Sequence, residues 1–203
     1  MTNSGPAGES AGPFRLTSVA LGLCSVHHNG MSASHSPLID DFAREHPISS
    51  EGTPWQFLTD GVMGGVSDGA MKRECIAGRT ALRMHGNVSL ENNGGFLQIA
   101  LDLSPDGAAV DASRWQGIAI DVRGPPETYG IHLRTADLAR PWQSYRQSFS
   151  TTPDWQTMKF GFTEFQPHRT DVPFNPARLR RLGLVAIGKA FDADLAVSRV
   201  SFF

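Results

Sequence analysis

The chain has 203 residues, with 18 Lys and Arg against 20 Asp and Glu and a formal charge of −2; with no basic run, the balance excludes nucleic acid and anionic lipid as main partners. The length suits one domain with a real core, and two cysteines, Cys24 and Cys75, cannot build a disulfide framework or a four-cysteine zinc site. No apolar run reaches the ~18 residues that span a bilayer, so the expectation is a soluble protein of a reducing compartment, cytoplasmic, or mitochondrial if the source is eukaryotic.

Residues 1–37 read as a disordered leader. Residues 1–30 are rich in Gly, Ser and Ala with Arg15 as the sole basic side chain, a poor match to a secretory signal or a mitochondrial transit peptide, and Met31 offers an alternative start of translation. Residues 38–203 read as a single domain. A helical turn or two is expected at Ile39 to Arg44. The stretch Asp60-Gly61-Val62-Met63-Gly64-Gly65-Val66-Ser67-Asp68-Gly69 follows, and from Thr80 the pattern has period two. Strands are expected at Ala81 to Leu90 and at Phe96 to Leu103, where Leu97, Ile99, Leu101 and Leu103 share one face while Gln98, Ala100 and Asp102 share the other. The same alternation sets Ile118, Ile120 and Val122 against Ala119, Asp121 and Arg123, and Tyr129, Ile131 and Leu133 against Gly130, His132 and Arg134. Further strands are expected at Ser144 to Ser150, Trp155 to Phe162, Leu182 to Ile187 and Asp194 to Phe202, with a second short helical turn at Pro176 to Arg181. Gly, Pro and Asn clusters such as Asn92-Asn93-Gly94-Gly95 and Gly124-Pro125-Pro126 separate them.

About eight short strands with one wet face argue for antiparallel pairing, since strands covered on both faces read as unbroken apolar runs. The expected fold is all-β: an antiparallel β-sandwich, best fitted by a jelly roll.

The glycine-rich stretch fails as a phosphate loop because no lysine follows its glycines, and as a dinucleotide fingerprint because its glycines are wrongly spaced and no helix follows. Calcium could use Asp60, Ser67 and Asp68; more often such carboxylates form turns by bonding nearby amides, with Met63 and Val66 then pointing into the sheet. Cys75 has no base on its own strand and is expected to be a buried, inert thiol. His27 and His28 are adjacent and cannot share a face as metal ligands; His132 and His168 lack partners at ligand spacing. Glu164 with Asp171 could serve a glycosidase, but no pattern selects them over a solvated surface. The expectation is no enzyme, no cofactor and no metal.

Several segments in order carry a resemblance: Trp55-Gln56-Phe57, Asp60-Gly61-Val62-Met63-Gly64-Gly65-Val66-Ser67, Gly86-Asn87-Val88-Ser89-Leu90-Glu91-Asn92-Asn93-Gly94-Gly95-Phe96, Arg123-Gly124, Leu133-Arg134 and Tyr145-Arg146. Over roughly residues 38 to 203 the chain resembles the complex I intermediate-associated protein family, whose members help to assemble respiratory NADH:ubiquinone oxidoreductase. The resemblance implies a galactose-binding-like jelly roll, similar to some carbohydrate-binding modules. It also implies a chaperone-like assembly factor without catalysis, whose partners are protein subunits of complex I or its assembly intermediates, without membrane insertion.

Two sets of residues then stand out. Period two sends His132 and Arg134 away from the core and Arg146 lies on a neighbouring strand, so His132, Arg134, Trp142, Tyr145 and Arg146 are expected to line a partner-binding surface. The alternative is that Arg134 and Arg146 pair with Asp121 or Glu91 in a semi-buried polar layer. The second set, Asp60, Gly61, Met63, Gly64, Gly65, Ser67, Asn92, Asn93, Gly94, Gly95 and Phe96, is expected to form two adjacent loops that brace each other through Asn and Asp bonds to backbone amides. A competing function is glycan binding, which would require Trp142, Tyr145 and Trp155 exposed together on one face; a small enzyme would instead require a deep pocket with an ionisable pair.

Overall fold

The structure is a computed structural model that describes residues 1–2 and 38–203. Most of the expected leader, with Cys24, His27, His28 and Met31, lies outside the described residues. Those residues contain twelve strands: β1 (Leu38–Asp40), β2 (Trp55–Thr59), β3 (Asp68–Ile76), β4 (Arg79–Val88), β5 (Phe96–Asp102), β6 (Gly117–Arg123), β7 (Thr128–Thr135), β8 (Ser144–Ser150), β9 (Gln156–Gly161), β10 (Gln166–His168), β11 (Leu179–Ile187) and β12 (Phe191–Phe202).

Period-two alternation gives each strand an apolar face, and two such faces bury each other. The first sheet runs β3-β4-β12-β6-β9, with β1 on the β4 edge of β12; the second runs β10-β8-β7-β11-β5-β2, and every pairing is antiparallel. This is the expected antiparallel sandwich. Its core lies between the sheets, where Leu82, Met84, Ile118, Ile120 and Leu195 of the first meet Leu97, Ile99, Ile131, Leu133 and Leu184 of the second. Fully burying a side chain of this size contributes about 1.5–3 kcal/mol.

The strands missed in the sequence lack the alternation of the others. In β3 only Met71 among the inward positions packs against the core, because β3 is an edge strand with one neighbour and tolerates polar side chains on both faces. Cys75 on that strand is exposed and is not a free thiol, so the buried, inert thiol expected there is not found. The turn expected at Ile39 to Arg44 is also different. Leu38–Asp40 pairs with β12, and the buried Asp40 carboxylate accepts from the amides of Phe42 at 3.0 Å and Ser50 at 3.1 Å and from Trp55 Nε1 at 2.7 Å, which bends the chain away from a helix. At Pro176–Arg178 there is a single 3-10 turn, after which β11 begins.

Candidate functional site

Asp60 opens a short 3-10 turn, Asp60–Met63, ended by Gly64 in the left-handed region at φ 86°, a conformation that suits glycine. The Asp60 side chain is fully buried. Its carboxylate accepts from the Ser67 amide at 3.0 Å and the Ser67 hydroxyl at 2.5 Å, then across to the second glycine-rich loop from the amides of Gly95 and Phe96. Ser67 in turn accepts from the Ser89 amide at 3.0 Å. Burial pushes the Asp60 carboxyl up, but the Ser67 hydroxyl and the Gly95, Ser67 and Phe96 amides outweigh it and hold the group below the usual carboxylate range. A pocket of donors has the wrong polarity for calcium, which needs oxygens aimed at it. Asp68 is exposed on β3 and takes no part.

The brace has a visible product. Val62 and Met63 are 75% and 67% exposed, against the expectation that Met63 and Val66 point into the sheet; Val66 is exposed too. The carboxylate of Asp60 occupies the interior, so the turn it anchors carries its apolar side chains outward. Asn92 adopts a left-handed φ of 57°, and among the described residues the side-chain bonds across the two loops come from Asp60 and Ser67 and not from Asn92; the Asn93 side chain lies outside the described residues.

Val62 and Met63 stand at one side of a cleft of about 830 Å³ on the outward face of the second sheet. Register explains its lining. On β7, Tyr129, Ile131 and Leu133 point into the core, leaving Gly130, His132 and Arg134 outside; on β11, Leu182, Leu184 and Ala186 point inward, leaving Arg181, Gly183, Val185 and Ile187 outside. His132 is opposite Arg146 of β8 and Gly183 of β11. Gly183 deepens the middle of the cleft: a Cβ there would overlap the Gln98 side chain and stand 3.2 Å from its Cδ.

Cations dominate the polar lining. Arg181 is neutralised by Asp102 at 2.9 Å and donates to Gln56 at 2.6 Å. Arg134 donates Nη2 to the Arg140 carbonyl at 2.9 Å, and its Nε is buried without a partner. Arg146 donates Nε to Ser144 at 2.9 Å. Among the described residues neither Arg134 nor Arg146 reaches a carboxylate, so the expected alternative, pairing with Asp121 or Glu91, does not occur; Asp121 is held by Arg79 on the other sheet. Burial, then the charges of Arg181 and Arg180, push the Arg134 guanidinium down; burial, then Arg169, do the same to Arg146. Burial, then Arg146 and His168, push the His132 imidazole down to about 3. The site favours a ligand that brings negative charge.

Four of the five residues expected at a partner surface therefore meet: His132, Arg134 and Arg146 on the sheet, and Trp142, 53% exposed, on the loop before β8. Tyr145 does not. It is 1% exposed on the core face of β8, where its hydroxyl donates to the carbonyls of Val172 and Pro173, because period two cannot place it beside Arg146. Gln98, Arg169, Arg181, Gly183 and Val62 also line the cleft and were not singled out from the sequence. For Arg181 and Gly183 the alternation of β11 carried the signal; nothing local marked Arg169.

Family comparison matches residues 41–197 to complex I intermediate-associated protein 30 (CIA30). The chain belongs to this family. Both glycine-rich loops and all five expected surface residues fall within the CIA30 match. Comparison with curated proteins returns no match. Among solved structures, this CIA30 chain is similar to the family 11 carbohydrate-binding module of a cellulosomal cellulase of Clostridium thermocellum, at TM-score 0.64 and 13% identity over 85% of this chain and 96% of the module. That module is also solved in complex with a β-1,3-1,4-mixed-linked tetrasaccharide, and its fold matches at TM-score 0.64 and 14% identity over 85% of this chain and 97% of that one. A family 30 carbohydrate-binding module matches at TM-score 0.54 and 15% identity over 71% of this chain and 80% of that one. At these identities the likeness is one of fold, the galactose-binding-like jelly roll.

Proposed function

We propose that the protein is a non-catalytic, chaperone-like binding factor in the assembly of respiratory complex I, and that it holds a subunit or assembly intermediate in the cleft of the second sheet. The observation that carries this reading is the pair Arg134 and Arg146, two half-buried guanidinium groups without an ion-paired carboxylate among the described residues, beside the exposed Trp142. Arginine and tryptophan are the usual anchors of protein interfaces, and a family defined by complex I intermediates supplies the client class. The cleft holds cations rather than an acid and base pair of opposed pKa shifts, which supports binding rather than turnover.

The carbohydrate-binding modules among the fold neighbours keep a glycan reading in view. Such a site needs a row of exposed aromatics to stack sugars. Here Tyr145 is in the core, and Trp155 is half-buried at the start of β9 on the other sheet, beneath Arg79 and Arg123 at 5.3 and 5.9 Å. Trp142 is left on the cleft without those two, so the geometry favours the protein client.

The test is capture of partners from detergent-solubilised native membranes on the tagged full chain. Co-purification of complex I subunits above an unrelated jelly-roll control is expected; recovery at the level of that control would end the proposal.

A further inference from the structure

We infer that the cleft accepts an extended polypeptide segment with apolar side chains at one end and carboxylates at the other, the carboxylates on Arg134 and Arg146 and the apolar end on Val62 and Met63. This rests on the reading of the chain as a protein-binding assembly factor, and adds the chemistry of the segment that is bound.

Strand order sets the polarity. Across the second sheet, the β2 and β5 side of the cleft carries Leu58, Phe96 and the Val62–Met63 lip, while the β7, β8 and β10 side carries Arg134, Arg146 and His168. The cationic side is built for an incoming anion. Arg181 lies in the same cleft and shows how the fold neutralises an arginine it means to keep to itself, with Asp102 and Gln56. Among the described residues Arg134 and Arg146 have no such ion-paired partner, and the buried Arg134 Nε is unmet. A carboxylate answers a guanidinium fork in the plane and removes the cost of an unpaired buried donor; a neutral sugar leaves the charge uncompensated. Burial, with a smaller contribution from neighbouring cations, pushes both guanidinium groups down, which points the same way.

The apolar side is equally deliberate. A buried carboxylate accepting from Ser67, Gly95 and Phe96 fixes a turn whose two apolar side chains stand in solvent. From β2 to β8 there are four inter-strand steps of about 4.8 Å, or roughly 19 Å. The register sets Thr59 level with Ala186 and Arg146 level with Gly183, a further offset of about 10 Å along the strands, so the diagonal is about 22 Å, the length of about seven extended residues. A short linear segment therefore reaches both ends.

The experiment uses the purified full chain and fluorescence anisotropy with labelled peptides of that length, leucines at one end and glutamates at the other, in both chain directions, and with counterparts in which glutamine replaces glutamate. The glutamate peptide is expected to bind roughly ten- to a hundredfold more tightly than its glutamine counterpart. Arg134→Ala with Arg146→Ala should erase that difference, and Val62→Ser with Met63→Ser, which touches only exposed side chains, should weaken both peptides alike. Should the alanine pair melt early, Arg134→Lys with Arg146→Lys keeps the charge, loses the fork and must still reduce the preference. Equal affinity for the glutamate and glutamine peptides, or no binding of either, overturns the inference. So does tighter binding of a mixed-linked glucan tetrasaccharide or of phosphatidylserine vesicles than of the glutamate peptide. Selective peptide binding without co-purified complex I subunits would remove the assembly reading and leave this site standing; subunits captured equally by the alanine pair would do the reverse.

Discussion

A Cβ on Gly94 would stand 2.8 Å from Asp60 Cγ, so the glycine leaves open the space that the aspartate carboxylate fills. On the other side a Cβ on Gly65 would stand 2.7 Å from Asp60 Cβ. The two glycine-rich segments, some thirty residues apart, thus close on one buried charge, and each glycine is needed for close approach and not only for turning.

Asp60→Asn should lower stability by about 2–4 kcal/mol, because an amide presents donors to the Ser67 and Gly95 donors in place of a charge-assisted acceptor. Urea denaturation measures it. The folded carboxyl lies below its ordinary value near 3.8, so its stabilisation is present above that value and is lost as pH falls through the folded pKa. The asparagine variant should lack that acid-limb loss.

Gly65→Val and Gly94→Ala should each cost a few kcal/mol, since the added atoms meet a carboxylate that has nowhere to go. Gly64→Ala is the contrast: nothing lies near its Cβ, but φ is +86°, so a cost of about 1 kcal/mol from backbone strain alone is expected. Thermal melts of the three variants separate steric from conformational cost. A Gly65→Val protein with full stability would remove the brace.

Arg134→Ala and Arg146→Ala should leave stability within about 1 kcal/mol of the parent, or raise it, because each removes a desolvated charge that has no ion pair among the described residues. Arg181→Ala breaks an ion pair with Asp102 and should cost about 1–2 kcal/mol. If partner capture falls in the first two while their melting temperatures hold, the arginines serve binding; a drop in melting temperature with capture intact would assign them to the scaffold.

His132 gives a pH signature. Its folded pKa of about 3 lies below an unfolded value near 6.5, so between those limits the unfolded chain binds more protons and stability falls as pH drops, by a few kcal/mol in total. Above about pH 6.5 the effect vanishes. Denaturation at pH 7 and pH 4.5 should show His132→Gln losing less stability than the parent; His168 and His46, also pushed down by burial, and the lowered carboxyls of Asp60 and Glu127 contribute to the remaining slope.

Alternation made most of the sandwich legible. The faces of β5, β6 and β7 could be assigned residue by residue because an apolar core accepts one parity and rejects the other, and that rule also sent His132 and Arg134 outward. The same rule, applied to β8, separates Tyr145 from Arg146; grouping them set residue type above parity. The edge strand β3 and the short β1, β2 and β10 escaped notice, since a strand with one neighbour or three residues need not alternate. Met63 was misplaced because a turn anchored by a buried aspartate inverts the habit of apolar side chains pointing inward.

From the chain alone came the fold class, the family and the identity of the residues that stand off one sheet, because hydrophobic period and glycine spacing are local and survive in one dimension. Tertiary structure decided which of those residues meet: Arg134 with Arg146 in one cleft and, among the described residues, no ion pair to either, Arg181 with Asp102 at 79 residues' separation, Val62 and Met63 at the far side of the same cleft. Pairing of charges and closure of loops depend on strand order across the sheet, and strand order is set by the packing of the whole domain.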